Sequence, residues 1–308
     1  MQSTLKVGFV GLGNMGWPMA RNVAKAGFPL TVRDTDAARQ RRFADEHDCR
    51  AAEEPAAFRE ADVVVTMLPT GRIVRAVMRE WGGGLGHVLA RGSIVVDMSS
   101  SEPTGTRELA EVLSRDNVAL IDAPVSGGVP KAEAGTLAIM IGGDDEEAIA
   151  RVRPLLECMG QKLFRTGAAG SGHAMKALNN YVAAAGFTAG AEALIVGRKF
   201  GLDPATMVDI LNASTGRNFS TEYTLKEHVV PGKFATGFAL GLLAKDVGIA
   251  ADLARAIGID APACQLMSEM WAEAAKTLGG GPDHSVAFKR WAEANGVDLG
   301  VITPSEQS

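Results

Sequence analysis

The chain has 308 residues, of which 46% are apolar and 22% charged, with a net charge of -5. That is the composition of a globular protein long enough for two domains of about 150 residues each. The acidic balance gives no electrostatic footprint for nucleic acid or an anionic membrane, so both partner classes are set aside in favour of small-molecule chemistry.

Leu5 to Val10, LKVGFV, is an apolar run of strand length that begins without a charged and apolar leader. It predicts no cleavable signal and a cytoplasmic protein. The run leads into Gly11-Leu12-Gly13-Asn14-Met15-Gly16 and then into a helical pattern ending near Gly27. Strand, glycine turn and helix in this order are what a dinucleotide pyrophosphate requires. Gly11 serves the tight turn, Gly13 the close approach of the phosphates and Gly16 the packing of helix on strand, with the helix N-terminus facing the anion. A second strand, Phe28 to Val32, ends in Arg33-Asp34, where an acidic side chain meets the adenosine ribose. Asp34 favours NAD; Arg33 could instead grip a 2′-phosphate or stack on adenine, which leaves NADP open.

The pattern repeats at Asp62 to Leu68, Ser93 to Met98, Val118 to Asp122 and Leu137 to Ile141, near-continuous apolar runs suited to a parallel sheet covered on both faces. Pro69 and the Ser99-Ser100-Ser101-Glu102-Pro103 segment fall at carboxyl ends of such strands, the edge where a doubly wound sheet binds ligands. Gly82-Gly83-Gly84-Leu85-Gly86 follows a helical pattern and reads as a connection. Asp122 to Gly128, DAPVSGG, follows its strand directly, and its Ser126-Gly127-Gly128 turn exposes backbone N–H groups able to cradle a carboxylate.

From about Ser171 helical spacing takes over. Ser171 to Phe200 would span about 45 Å as one helix. Its alanines and glycines suit close helix packing and a subunit interface. Further helical patterns lie at Asp203 to Ser214, Leu240 to Ala256, Ala261 to Thr277 and His284 to Asn295, with Asn212 to Thr221 as a polar break that helps shape a pocket. Lys176 and Asn180, four apart, share a face of the long helix and could protonate and hold a carbonyl oxygen. His173, one helical step before Lys176, reads as a capping or surface residue. The five histidines have no zinc-type spacing, so no metal site is expected. Cys49, Cys158 and Cys264 lie outside any CxxC spacing and read as reduced thiols.

Four stretches align in order with one family: GFVGLGNMGWPMARN (Gly8 to Asn22), DAPVSGG, GSGHAMKALNN (Gly170 to Asn180) and LLAKD (Leu242 to Asp246). On these residues the chain resembles the β-hydroxyacid dehydrogenases, the group containing 3-hydroxyisobutyrate dehydrogenase and tartronate semialdehyde reductase. The resemblance implies a Rossmann NAD(P)-binding domain over 1–168, then an all-helical substrate and oligomerisation domain over 169–308, joined by the long interdomain helix. It implies Lys176 as general acid and base, Asn180 orienting the substrate oxygen, and Ser126, Gly127 and Gly128 on the carboxylate. Lys245 is implied to line the cofactor and substrate cleft, where a second cation and burial would lower the pKa of Lys176. Gly11 to Gly16, Arg33, Asp34, Met67 to Pro69 and Ser100 are implied at the cofactor; at the last position the chain has Ser99-Ser100 where relatives carry a Ser-Thr pair. The expected activity interconverts a short β-hydroxy acid and its semialdehyde in a homodimer or homotetramer. 3-Hydroxyisobutyrate is the first candidate and tartronate semialdehyde the alternative; a reading of another class is a non-catalytic dinucleotide-binding module.

Overall fold

The computed structural model describes residues 5–297; the ends of the two expected domains, 1–4 and 298–308, lie outside the described residues. The chain divides into two compact units, the first ending at Lys176 and the second beginning at Ala177.

The first unit runs β1 (Val7–Val10), α1 (Gly16–Lys25), β2 (Leu30–Arg33), α2 (Ala37–His47), β3 (Arg50–Ala51), β4 (Val63–Thr66), α3 (Gly71–Arg79), α4 (Leu85–Val88) and β5 (Ile94–Asp97). It continues through α5 (Pro103–Ser114), β6 (Ala119–Asp122), β7 (Val125–Ser126), α6 (Gly128–Ala134), β8 (Leu137–Gly142), α7 (Glu146–Glu157) and β9 (Gly160–Gly167) to the first residues of α8 (Ser171–Phe200). The strands form one sheet in the order β3-β2-β1-β4-β5-β6-β8-β7, with β9 beside β8. The path from β3 to β6 is parallel throughout and has the strand order of a dinucleotide-binding sheet. β8 then turns antiparallel to β6 and β7, and β9 pairs parallel to β8.

The near-continuous apolar strands have the reason the sequence predicts: both faces are covered. Along β4, Val63 and Val65 point into one core with Met19, Phe43 and Leu155, while Val64 points into the other with Met78, Leu109 and Leu113. β5 divides in the same way, Ile94 and Val96 against Val95. Three strands escaped the sequence reading. β3 and β7 have two residues each, and β9 is half-exposed, so its Gln161, Lys162 and Arg165 break up the apolar run.

The second unit contains α8 from Ala177 onward, α9 (Pro204–Ala213), α10 (Leu240–Ala256), α11 (Pro262–Leu278) and α12 (Ala287–Ala294). Its core gathers Phe187, Trp271, Phe288 and Trp291 with Leu225 and Val247. The Trp271 indole N–H donates to the Thr188 hydroxyl at 3.1 Å, so the ring is buried with its polar atom satisfied. The glycines of α8 are the seats for neighbouring side chains: Leu225 lies over Gly190, Met207 over Gly197 and Asn218 over Gly186. Ser220–Val229, expected to be partly a polar break, winds as a wide π-type helix. The Asn218 carboxamide opens it by accepting from the Ser220 and Thr221 N–H groups. No helix among the described residues is long and apolar enough to cross a membrane.

The segment leading into α10 is pinned by Asp283, whose carboxylate accepts from the Thr236 hydroxyl and the Gly237 N–H, both at 2.8 Å, and from Ser285. Burial opposes its ionisation, but these hydrogen bonds outweigh burial and hold its pKa below the ordinary value. A carboxyl depressed in the folded state contributes stability above its unfolded pKa and loses it as pH falls through the folded one. Asp283→Ala is therefore expected to cost about 1–3 kcal/mol at neutral pH. The gap from the parent should narrow below about pH 3.9. Urea unfolding at several pH values checks this, and a penalty that does not depend on pH would show that the ionised carboxylate is not responsible.

Candidate active site

β1 ends in a turn with little freedom. Gly11 has φ +102, and a Cβ there would overlap the Met67 carbonyl oxygen; a Cβ on Gly16 would overlap the Gly11 carbonyl. Gly13 differs, since a Cβ there would meet nothing within 4 Å. The exposed Gly13 and Asn14 and the half-buried Met15 therefore border open space in front of α1, whose N-terminus no side chain caps. Uncapped N–H groups beside an open glycine fit a pyrophosphate.

The other cofactor candidates gather on this turn. Asp34 Oδ2 accepts from the Leu12 N–H at 2.6 Å, and Oδ1 accepts from the Asp36 N–H. Arg33 donates to Gln40 Oε1 at 3.1 Å and lies 5.2 Å from the centre of the Trp81 ring, so its guanidinium is already stacked. A residue the sequence reading missed, Arg39, stands 3.6 Å from Asp34 Oδ1 and brings a second cation, beside Arg33, to this carboxylate. Met67 donates its N–H to the Val10 carbonyl, and Leu68 donates its N–H to the Ser99 hydroxyl at 2.9 Å. The Met67-Leu68-Pro69 and Ser99-Ser100 turns are thereby fastened to each other. Gly127 and Gly128 both take positive φ, +138 and +67, so the Ser126-Gly127-Gly128 turn needs its glycines.

Lys176 is half-buried, in the second turn of α8. The helix opens on Asp122, whose carboxylate accepts from the Gly170 N–H at 2.8 Å and the His173 N–H at 2.9 Å. His173 is therefore no surface residue. Its ring is fully buried, with Nδ1 2.8 Å from the Thr106 hydroxyl and Nε2 3.6 Å from Asp97 Oδ2.

In the second unit the Asn180 carboxamide donates to Asp246 Oδ2 at 2.6 Å, and Lys245 Nζ is 2.8 Å from Asp246 Oδ1. A carboxylate only accepts, so the amide must turn its nitrogen toward Asp246. Asp246, buried at 2% exposure, thus orients Asn180 and neutralises Lys245 together. Its signal in the sequence was an acidic residue beside Lys245, which by itself reads as a solvated helix charge. Burial pushes the Cys49 thiol up to about 11 and the Cys158 thiol up to about 12, so neither is a thiolate near neutrality.

Comparison with known proteins identifies the family. Residues 6–167 match the family profile described as the NAD binding domain of 6-phosphogluconate dehydrogenase, and residues 170–291 match that of the NAD-binding of NADP-dependent 3-hydroxyisobutyrate dehydrogenase. The chain is 35% identical over 302 residues to 2-(hydroxymethyl)glutarate dehydrogenase of Eubacterium barkeri, covering 97% of this chain and 99% of that protein. It is 38% identical to mitochondrial 3-hydroxyisobutyrate dehydrogenase of Bos taurus over 82% of this chain and 77% of the relative. Among solved structures it superposes on Mycobacterium tuberculosis 3-hydroxyisobutyrate dehydrogenase with L-serine at a TM-score of 0.85 and 34% identity, over 94% of this chain and 99% of the other. With the glycine turn, the strand order and the α8 lysine already in place, these matches show that the chain belongs to the β-hydroxyacid dehydrogenase family and is an NAD(P)-dependent oxidoreductase.

Proposed function

We propose that the chain interconverts a short β-hydroxy acid, one bearing a hydroxymethyl group on its α carbon, and the corresponding semialdehyde, with Lys176 as the proton-transfer group. The observation that supports this best is on α8 itself: Lys176 and Asn180 stand one turn apart on one face, and the Asn180 amide is aimed by a buried carboxylate. Relatives are named for 3-hydroxyisobutyrate and 2-(hydroxymethyl)glutarate, and one related structure is that of a 3-hydroxyisobutyrate dehydrogenase with L-serine. All three compounds carry a primary hydroxyl on the carbon next to the one bearing the carboxylate, and differ only in the third substituent. The shared end is the one that the residues named here serve.

A bound nicotinamide supplies the hydride acceptor. In the oxidative direction, neutral Lys176 takes the hydroxyl proton as the carbon gives up its hydride, so that hydroxy acid and NAD+ become semialdehyde, NADH and one proton. In reduction the Lys176 ammonium returns that proton. Asn180 holds the reacting oxygen with the N–H that Asp246 does not use. Ser126, Gly127 and Gly128 take the carboxylate, and Lys245, ion-paired with Asp246, lines the substrate and cofactor site. Asp34 favours NAD by repelling a 2′-phosphate, while Arg33 and Arg39 keep the preference finite. The protein works in the cytoplasm as a homodimer or homotetramer. What supports association is a stripe on α8 where Val182, Val196 and Phe200 are 66%, 69% and 86% exposed on one helical face.

The test is a cofactor-reduction assay with NAD and NADP in parallel against 3-hydroxyisobutyrate, 2-(hydroxymethyl)glutarate, L-serine, glycerate, 4-hydroxybutyrate and threonate. Turnover is expected with at least one β-hydroxy acid, with NAD preferred by roughly tenfold or more, the effect of one unfavourable charge contact. Silence across the panel with NADH binding intact would favour the non-catalytic module. Light scattering on the same sample that gives the mass of a single chain would remove the oligomer.

A further inference from the structure

We propose that Asp122 and His173, which the mechanism does not use, are positioning residues that set the height and rotation of α8 and so the place of Lys176. This rests on the acid–base role of Lys176 proposed above. A helix whose register slips by one residue moves each side chain about 1.5 Å along the axis and about 100° around it, enough to take a lysine away from a bound hydroxyl. Two separate devices oppose such a slip, both within the first unit.

The axial one is Asp122. It closes β6, where its neighbours Asp97 on β5 and Gly142 on β8 are fixed in register. Its fully buried carboxylate takes the Gly170 and His173 N–H groups, two of the four that a helix start leaves without partners. The negative charge also lies where the helix dipole favours it. Only glycines permit this approach. A Cβ on Gly172 would lie 2.8 Å from Asp122 Oδ2 and overlap the Met140 carbonyl, and one on Gly142 would lie 2.5 Å from Asp122 Oδ1.

The rotational device is the His173 ring, three residues before Lys176. Its Nδ1 is held by Thr106 on α5, and its Nε2 faces Asp97. Asp97 is itself immobile: it accepts from the Thr66 hydroxyl at 2.9 Å, the Ser99 N–H at 3.0 Å and the Ser101 hydroxyl at 2.7 Å. The same carboxylate therefore shapes the turn that carries Ser100 and, through Ser99, the Leu68 backbone. The turns assigned to the cofactor and the helix assigned to the proton transfer are braced on one buried cluster. Asp122 and His173 carry no reacting atom, yet the place of Lys176 depends on them.

The test compares Asp122→Ala, Asp122→Asn, His173→Leu, His173→Gln and Thr106→Val with Lys176→Met. Turnover is expressed per NADH-binding site, so that unfolded protein does not count. Asp122→Ala and His173→Leu are expected to lower kcat about 100-fold, the scale of an ångström-sized misplacement, with KM and the NADH Kd within about threefold. His173→Gln, which can still hydrogen-bond Thr106, should recover a large part of kcat. Asp122→Asn and Thr106→Val, the mildest changes, keep the test readable if the harsher variants do not fold. If kcat per site stays near the parent value in every folded Asp122, His173 and Thr106 variant while Lys176→Met is inactive, the cluster is structural only and the inference is overturned. If Lys176→Met itself turns over normally, the acid–base reading fails first and the inference falls with it.

Discussion

Lys176→Met is expected to lower kcat by about 100- to 10,000-fold, the range over which a positioned general acid or base acts, and to leave the NADH Kd close to the parent value. Methionine keeps most of the length and volume of lysine but can neither take nor give the proton. Lys176→Arg separates the two things a lysine brings. Arginine keeps a cation, but it stays protonated at every working pH, so it cannot act as a base. Similar inactivity in both variants assigns the loss to proton transfer. Recovery in the arginine variant would assign Lys176 to charge alone, and near-parent turnover in the methionine variant would remove it from the reaction. Steady-state kinetics beside a fluorescence titration of NADH decide among these results.

Gly16→Ala is expected to fail twice, in folding and in cofactor binding. The added methyl would overlap the Gly11 carbonyl oxygen and stand 2.9 Å from its carbon, both backbone atoms that no rotamer change can move aside. Either α1 retreats from β1 or the turn deforms, at a cost of about 1–3 kcal/mol or more for an overpacked interior. The helix N-terminus then no longer faces the pyrophosphate, and NADH affinity should fall about 100-fold or more, the loss of charge-assisted hydrogen bonds of about 1.5–3 kcal/mol each. Gly13→Ala is the informative contrast. Its methyl would meet no protein atom within 4 Å, so thermal unfolding should be unchanged while affinity still drops, because the occupied space is where the phosphates approach. If Gly13→Ala binds NADH as the parent does, the open face of that glycine is not the phosphate site.

The chain itself determined what depends on near neighbours. Strand, glycine turn and helix from Leu5 to Gly27 were legible because Gly11 and Gly16 answer to atoms of the same turn or of the strand beside it. α8 and α10 were read to their terminal residues, and β1, β2, β4, β5, β6 and β8 were placed within a few residues, because apolar periodicity is imposed by burial along each element. The lysine and asparagine of α8 were legible for the same reason: four positions along a helix is a fixed geometry.

Only the tertiary structure decided which polar groups act on these residues. Asn180 meets Asp246 across 66 positions, His173 meets Asp122 across 51 and Thr106 across 67. No local pattern marks such pairs, because a carboxylate on a helix or at a strand end is ordinarily solvated. Burial is what changes its meaning. Asp122 and Asp246, inside their units, must be paired to be tolerated there, and the partners that satisfy them are the opening of the lysine helix and the Asn180 amide. Arg39 was hidden likewise, one of several charges on α2 until the fold set it beside Asp34. The sequence determined which groups are candidates for the chemistry, because those lie in local motifs; the fold determined what holds them, because a buried charge is answered by whatever the chain brings back to it from far away.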